Sequence, residues 1–565
     1  MKSVFRGDIP EDLLFPYPDS TTVESDLIKV IIDNVQRWAD NAFDASETDE
    51  AGHYAEGTLE SLADMGLFGL VIPERYGGLE LSHTSYARIF ESLSRIDGSL
   101  PTTVGAHSSI GIEGLLLYGT QEQKARYLPD LASGEKIAAF ALTEPGAGSD
   151  AGSIQTRAER QEDGSWLLNG QKQWITNGGI AQFFTVFAMT PVTKAGKTED
   201  KISAFIVEGD VEGLRRGPEE KKMGIKASST VSLYFDNVKL PPHALLGEEG
   251  KGFKVAMNVL NSGRLGMASG VVGGGKAMLE VAARHAQQRK QFGKPIGEFE
   301  LIQEKLSRMA VAIYAAESMV YLTTHFVDRG DIDFSIESAI CKVFASENSW
   351  NVVNDGLQVM GGLGYMKEYP FERVLRDSRV NMIFEGTNEI LRLFIALAGM
   401  QAPGEYLKEV GQSLREPIKG FGLLVDYAVT RVKEAVTPRH LSRAHPALIK
   451  WSDSLAKSVD RFHRAIDSSL LKFGKRVVDR QLMLQRFADC AIELYGMAAV
   501  LSRVTAKLES VGEQQAQPEL DITRIYCSAG QYKIRRNIRM LRRNEDRPLR
   551  RLAKEVYRQN GYPVR

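Results

Sequence analysis

Four short segments carry side chains whose types and order could do chemistry. In Ile383-Phe384-Glu385-Gly386-Thr387-Asn388-Glu389 a carboxylate follows two large apolar residues and precedes one without a β-carbon. Burial disfavours the ionised form and raises a carboxylate pKa toward the range a general base needs near neutrality. Gly386 lets a substrate approach the backbone, so the N–H of Glu385 can donate to a developing oxyanion. The same letters also suit a helix start capped by Thr387 among ordinary surface acids. In Phe140 to Asp150 a strand end passes through Leu142 to Thr143 and Glu144, then turns at Pro145, Gly146, Ala147 and Gly148 toward Ser149. Bare N–H groups and hydroxyls gathered there suit a flat heterocycle edge or a phosphate, and a plain tight loop is the alternative. Gln173 to Gly179 offers the flat face of Trp174 and, by the strand period, the hydroxyl of Thr176 on the same side; a core Trp is the alternative. Gln358-Val359-Met360-Gly361-Gly362-Leu363-Gly364 ends a long helix in glycines, which fits a ligand approach or a simple helix stop.

A fifth segment looks chemical and is not. Gly270 to Lys276, GVVGGGK, nearly spells a phosphate-binding loop, but Ala277 stands where a magnesium-holding Ser or Thr belongs. The preceding Leu260 to Ser269 reads as helix, so the small residues are expected to let helices approach closely.

The elements that must position these segments follow from pattern. Helical spacing of apolar residues runs from about Ser25 to Arg126. Between about Glu135 and Gly247 the period falls to two, with strands expected at Ser165–Gly170, Gln182–Ala188, Ile202–Val207 and Val231–Phe235. Helical spacing returns in Leu301–Phe326 and Phe334–Val359, and a more charged helical stretch follows from Glu405. The expected architecture is α+β and multidomain. It has an N-terminal helical domain over residues 23–134, a central β domain over 135–247, a four-helix-bundle domain over 248–400 and an additional C-terminal helical domain over 401–565.

Composition narrows the function classes. The 565 residues carry a net charge of −2, which argues against a nucleic-acid protein as a whole. Twelve Lys/Arg against three Asp/Glu fall between Gln531 and Arg565, so positive charge is concentrated there. Cys341, Cys490 and Cys527 lie far apart without a CxxC pair, and no HExxH occurs, so neither a disulfide framework nor a metal site is expected. No apolar run reaches the roughly 18 residues of a spanning helix. The N-terminal residues lack a leader pattern, so a cytoplasmic protein is expected, with peripheral contact on the inner face of a membrane as an option.

Taken in order, the segments resemble the acyl-CoA dehydrogenase family. ALTEPGAGSDAGS (Ala141 to Ser153) and QVMGGLGYMKE…R…RD (Gln358 to Asp377) are similar to its two signatures, and Arg289-Lys290-Gln291-Phe292-Gly293-Lys294 adds a match. The resemblance covers about Val23 to Met400. EKKMGIKAS (Glu220 to Ser228), LNSGRLGMA (Leu260 to Ala268), Leu301 to Lys305 and IFEGTNEILRLF (Ile383 to Phe394) look like the very-long-chain members. So does the C-terminal extension, which short- and medium-chain members lack and where the similarity is weaker.

The resemblance implies FAD-dependent α,β-dehydrogenation of a long- or very-long-chain fatty acyl-CoA, the first step of β-oxidation. Glu385 would take the α-proton, and electrons would pass to an electron-transfer flavoprotein. Phe140, Leu142, Thr143, Ser149, Trp174, Ile175 and Thr176 would line the flavin, with Thr387, Asn388 and Glu389 further along. Arg289, Phe292, Gln358, Val359, Gly361 and Gly362 would reach the adenine and pyrophosphate end from a partner subunit, which implies a homodimer sharing its FAD sites. Ser149, Asn261, Arg264, Phe384 and Gly386 would meet the substrate. Some members carry the base beside the Arg of the segment here spelled Asn261-Ser262-Gly263-Arg264. Gly263 cannot act as one and Ser262 is a poor one, which leaves Glu385. Arg264 would either orient Glu385 through an ion pair or touch the substrate. Gly105, Ser108, Ser109 and Gly111, in the implied pocket floor, are small and would leave a deep channel, unless they serve helix packing. Ile418 to Val429 with Lys408, Arg415, Lys419, Arg431 and Lys433, and the Arg-rich Ile534 to Arg551, would form a basic membrane-facing surface or a solvated one. The competing functions are an acyl-CoA oxidase, which hands electrons to oxygen, and an assembly or scaffold protein on the same fold.

Overall fold

The structure is a computed structural model that describes residues 1–18, 25–194, 196–415 and 441–564, with side chains undescribed from 406 to 415. The chain divides into two compact units, residues 18–388 and residues 1–17 with 389–565.

The larger unit begins with helices α1 (Ser25–Ala42), α2 (His83–Ile96) and α3 (Gln121–Ser133). Thr120 and Gln123 close the start of α3 with a reciprocal capping box. Between α2 and α3, residues Ala106–Gly111 form a π-helical turn, a rare form that tends to occur at functional sites. The β domain follows as β1 (Ala138–Ala141), β2 (Arg157–Arg160), β3 (Trp166–Thr176), β4 (Phe183–Lys194), β5 (Lys197–Glu208), β6 (Leu214–Arg216), β7 (Thr230–Leu240) and β8 (Leu245–Leu246). The strand order is β6-β7-β3-β2-β4-β5-β8, with β1 parallel to β4. Successive residues of a strand face opposite sides, and both sides of β4 are covered. Phe184, Val186 and Ala188 join Trp166, Phe205 and Leu233 in one core, while Phe183 and Phe187 join Leu128, Ile202 and Val255 in another.

β4 and β5 pair in register from Phe183–Glu208 out to Lys194–Lys197, well beyond the expected ends at Ala188 and Ile202. The added length is mostly polar and mostly outside the core, with Met189, Pro191 and Val192 as its few apolar residues, so the pattern is weak there.

Helices α4 (Gly252–Gln288), α5 (Glu300–Arg329) and α6 (Ser335–Met360) pack on one another, with α2 laid against α4, and α7 (Phe371–Arg379) follows. The GVVGGGK segment lies inside α4. A Cβ on Gly273 would sit 2.0 Å from the Glu91 carbonyl oxygen of α2. Lys276 Nζ bridges Glu91 Oε2 at 2.7 Å and Glu317 Oε1 at 2.5 Å.

The second unit contains α8 (Asn388–Arg415) from Glu389 onward, α9 (Ile449–Phe473), α10 (Gln481–Gln515, kinked at Gly512), α11 (Gln517–Met540) and α12 (Asp546–Gln559). α8 runs unbroken past residue 400. Residues 1–17 pack within this unit: the Phe5 ring meets Phe462 edge-on at 4.9 Å, and His463 Nδ1 lies 3.1 Å from the Phe5 carbonyl oxygen. Ile418 to Val429, Lys419, Arg431 and Lys433 lie outside the described residues, as do the side chains of Lys408 and Arg415. Among the described residues no helix is long and apolar enough to cross a membrane.

The α2–α4 contact makes a clear stability prediction. Gly273→Ala forces backbone apart and is expected to cost about 1–3 kcal/mol, read as a lower thermal midpoint. Gly274→Ala meets its nearest atom, the Ser94 carbonyl oxygen, at an ordinary 3.5 Å and should leave the midpoint unchanged or slightly raised.

Candidate active site

Residues 383–387 form a tight link into α8. Glu385 has φ +55° and Gly386 φ +94°, so two successive residues are left-handed. That costs a non-glycine residue about 1–2 kcal/mol and needs support from its surroundings. Arg264 Nε of α4 donates to the Glu385 carbonyl oxygen at 3.2 Å. Lys342 Nζ of α6 donates to the Gly386 carbonyl oxygen at 2.9 Å and to Asn388 Oδ1 at 2.8 Å.

The Glu385 side chain points into a tight apolar slot. A Cβ on Gly263 would lie 3.0 and 3.1 Å from its two carboxylate oxygens and 2.6 Å from Ile110 Cγ2 of the π-helical turn. Glu385 Oε2 is buried and has no hydrogen-bond partner among the described residues. Burial therefore pushes the carboxyl up to about 7, with the charges of Arg264 and then Lys342 pulling the other way. Burial also lowers Arg264 to about 10, so the guanidinium remains a cation at neutral pH. Arg264 makes no ion pair with Glu385: it holds the main-chain oxygen, and its Nη1 donates to Asn261 Oδ1 at 2.9 Å. The ion-pair expectation fails because Arg264 reaches the main-chain carbonyl, while the carboxylate lies against Gly263 of the same helix, which has no side chain to pair with it.

The π-helical turn packs between α4 and β1, with Gly111 against Ala138. From β1 the chain enters the Gly-rich turn, where Glu144 and Ala147 exchange backbone hydrogen bonds at 3.1 Å. The fully buried Lys172 donates from Nζ to the Leu142 carbonyl oxygen at 3.1 Å and to Glu144 Oε1 at 2.7 Å, and Glu144 also accepts from the Gln155 and Thr156 N–H groups. The Thr143 carbonyl accepts from Gln173 N at 2.9 Å, which ties the turn to β3 one residue before Trp174. Trp174 sits at φ +58° in a β-bulge and is 58% exposed, so it is not a core Trp. The bulge also breaks the simple alternation expected to relate Trp174 to Thr176. Gly146, Gly148 and Ser149 face open space. The exposed indole, the Thr143 and Thr176 hydroxyls and the uncovered glycine backbone fit the edge and face of a flavin.

Not every expected residue turns a side chain to this region. Leu142, Ile175 and Val359 point into the core and can offer only backbone atoms. Phe140 is half-buried with its ring 5.0 Å from Phe187. Asn388 is buried, with Nδ2 donating to Ser346 Oγ and Glu347 Oε1, both at 3.1 Å. Thr387 and Phe384 are partly exposed and Glu389 is exposed. Arg289, Phe292, Gln358, Gly361 and Gly362 are exposed, and Phe292 is 94% so. Twenty-five residues of α4 separate Arg264 from Arg289, about 37 Å along the axis, and sixteen of α6 separate Lys342 from Gln358, about 24 Å. One subunit therefore does not gather these residues around Glu385.

In the expected pocket floor, a Cβ on Gly105 would meet Phe90 Cε1 at 3.1 Å, and one on Gly111 would meet Ala138 Cβ at 2.8 Å, so both glycines serve packing. Ser108 and Ser109 instead line a small cavity with His83, Tyr86, Glu113, Ser262 and Gly266. Its polar lining includes the Ser262 Oγ to Glu113 Oε1 hydrogen bond at 3.1 Å and the Tyr86–Ser108 hydroxyl pair at 3.0 Å.

Sequence reasoning missed Lys172, Lys342 and Ile110. A lone lysine inside the apolar run Ile340-Cys341-Lys342-Val343-Phe344 was a usable signal for the second; the others have none.

Known proteins share this fold. Models of the acyl-CoA dehydrogenase N-terminal, middle and C-terminal domains match residues 25–135, 139–238 and 250–400, and the ACAD9/ACADV C-terminal domain matches 446–562. The chain belongs to the acyl-CoA dehydrogenase family. It is 44% identical over 545 residues to the bovine mitochondrial very long-chain specific acyl-CoA dehydrogenase, covering 95% of this chain and 83% of that one. The acyl-CoA dehydrogenase complexed with FAD from Bacillus anthracis superposes with a TM-score of 0.82 at 34% identity, over 100% of this chain and 96% of that one. Butyryl-CoA dehydrogenase from Megasphaera elsdenii gives 0.63 at 38% identity, over 67% of this chain and 99% of its own. That shorter match accords with the extension being a separate addition.

Glu385 makes a stability prediction. The unfolded chain ionises it near 4.5 and the folded one near 7, so the folded state holds a proton the unfolded state has lost between these values. Stability falls as pH rises through this window and stays lower above it. Glu385→Gln removes that loss and is expected to stabilise the protein at pH 8 by on the order of 2–3 kcal/mol, with no gain below pH 4, measured by thermal melts at both.

Proposed function

We propose that the chain oxidises long-chain fatty acyl-CoA thioesters at the α,β-bond, with Glu385 as the base. The enzyme is an acyl-CoA dehydrogenase and its cofactor is FAD. The observation that carries the base assignment is the buried, unpartnered Oε2 of Glu385 on a left-handed residue held by two cations. Such a carboxylate is half ionised near neutrality and has no competing hydrogen bond to give up before it takes a proton.

Thr143, Ser149, Trp174 and Thr176 would hold the flavin through hydroxyls, exposed backbone and the indole face. The bound flavin supplies the acceptor for the β-hydrogen as hydride. The protein's part is to set the substrate α-carbon against Glu385, exclude water and hold the abstracted proton on the Glu385 carboxyl. The Glu385 N–H would donate to the thioester oxygen as it gains charge, a contribution of roughly 3–4 kcal/mol by analogy with an oxyanion donor. Arg264 and Asn261 would border the acyl or CoA portion, with Phe384 and Gly386 flanking the reacting carbon.

A long tail is the reading supported by the 44% identity to the very long-chain specific relative; the small polar cavity at Ser108, Ser109 and Gly266 has room for about one water molecule and would have to open to admit it. Each buried CH₂ adds about 0.8 kcal/mol, so longer chains gain contacts. A second subunit would complete the cofactor site through Arg289, Phe292, Gln358 and Gly362. Exposed Phe292, Leu363, Tyr365 and Met366 leave an apolar surface beside them for a dimer to cover. Reduced flavin would be reoxidised by an electron-transfer flavoprotein. The terminal helix α12 exposes Leu549, Leu552 and Val556 at helical spacing beside Arg547, Arg550, Arg551 and Lys554, which supports contact with an anionic membrane surface.

Glu385→Gln holoenzyme should bind FAD normally yet fail to bleach on anaerobic addition of palmitoyl-CoA; bleaching at the wild-type rate removes Glu385 as the base. For the wild type, kcat/KM should climb about tenfold per pH unit below about pH 7 and level off above it, because only the ionised carboxyl accepts the proton. Peroxide formed without an added acceptor would redirect the reading to an oxidase. In liposome co-sedimentation, Leu549→Glu with Leu552→Glu should abolish pelleting with anionic vesicles, and unchanged pelleting would rule out α12 as the contact.

A further inference from the structure

Lys342 stands in an apolar stretch of α6. Ile340, Cys341, Val343 and Phe344 around it are buried, and Lys342 itself has no exposed surface. An ammonium taken out of water is costly unless it is hydrogen-bonded to well-placed acceptors. Two of its acceptors, the Gly386 carbonyl at 2.9 Å and Asn388 Oδ1 at 2.8 Å, belong to the segment that follows Glu385. Asn388 is fixed in turn by Ser346 and Glu347, one turn further along the same helix. Arg264 of α4 takes the preceding carbonyl, that of Glu385, at 3.2 Å. Two consecutive carbonyls, on the two left-handed residues, are therefore each held by a cation from a different helix. A left-handed glutamate persists only where its surroundings over-determine it. Turning the peptide after Gly386 would break the Lys342 bond and remove one of the two restraints that hold Glu385 in its left-handed conformation.

Resting on Glu385 as the base, we propose that Lys342 is a positioning residue for this reaction: its buried ammonium fixes the backbone that aims Glu385, and its charge favours the carboxylate that must accept the α-proton. Lys342 is enclosed in the bundle and acts through Glu385. Among the described residues, three ionisable groups face that carboxyl electrostatically. Arg264 of α4 and Lys342 of α6 favour its ionised form, and Tyr86 of α2 stays neutral because burial raises its pKa far above the working range.

The test compares holoenzymes carrying Lys342→Gln, Lys342→Met and Glu385→Gln. Each is assayed for flavin content and for the rate of anaerobic flavin reduction by palmitoyl-CoA across pH. Lys342→Gln keeps a donor for the Gly386 carbonyl and removes the charge. It should retain flavin and a plateau rate within about threefold of wild type, while its acid limb moves up by about one pH unit. Lys342→Met loses both functions, and its plateau should also drop by about tenfold or more. A lysine with only a structural role would lower the melting midpoint and leave the acid limb in place. If Lys342→Met does not fold, Lys342→Gln alone decides. A flavin-loaded Lys342→Gln with an unmoved limb overturns the proposal while an inert Glu385→Gln leaves the base assignment standing. An active Glu385→Gln overturns both.

Discussion

A base that works on a weakly acidic carbon must be short of water and still able to ionise. The slot between Gly263 and Ile110 meets the first demand, since it leaves Glu385 Oε2 without solvent or partner. Cations on α4 and α6 meet the second, because burial alone would push the carboxyl still higher. Neither cation pairs with the carboxylate itself. Both grip main-chain oxygens, so their fields reach the site while the carboxylate oxygens remain available. An ion pair would have lowered the pKa and occupied the lone pairs that a proton must reach.

The Gly-rich turn after β1 is secured by the same means as the loop at Glu385. Irregular backbone inside a protein leaves carbonyls that must find donors. In each loop a buried lysine supplies them from a regular element: Lys172 of β3 takes the Leu142 carbonyl and Glu144, and Lys342 of α6 takes the Gly386 carbonyl and Asn388. An ammonium has three donors and a compact charge, so one side chain can tie a peptide oxygen and a neighbouring side chain together. The Gly-rich turn and the loop at Glu385 are thereby held by the sheet and the bundle, and depend less on their own short sequences.

Much of this was legible in the letters. The change of period near residues 135 and 247 marked the β domain, and the order of Glu385, the Gly-rich turn and the Gly361–Gly362 helix end carried the family resemblance. What stayed hidden has physical causes. The outer half of the β4–β5 ribbon is mostly polar, with only Met189, Pro191 and Val192 apolar, so periodicity has little to report there. The bulge at Trp174 depends on a positive φ in a residue that rarely adopts one, and strand alternation cannot foresee it. Gly105 and Gly111 read as room for a tail, yet their missing side chains let Phe90 and Ala138 close in. Whether a small residue makes space or fills it is decided by partners far away in sequence.

The packing of residues 1–17 with 389–565 also orders the protein's birth. Phe5 leaves the ribosome first among the core aromatics, but its partner Phe462 is translated some 457 residues later, a wait of about 20–90 s at ordinary elongation rates. Residues 18–388 are complete before Phe462 is made, whereas the segment that carries Phe5 must wait for its partner with its apolar side chains uncovered. The 18–388 unit can thus close before Phe5 and Leu14 find their partners, and a chaperone that shields those two side chains would act during the wait.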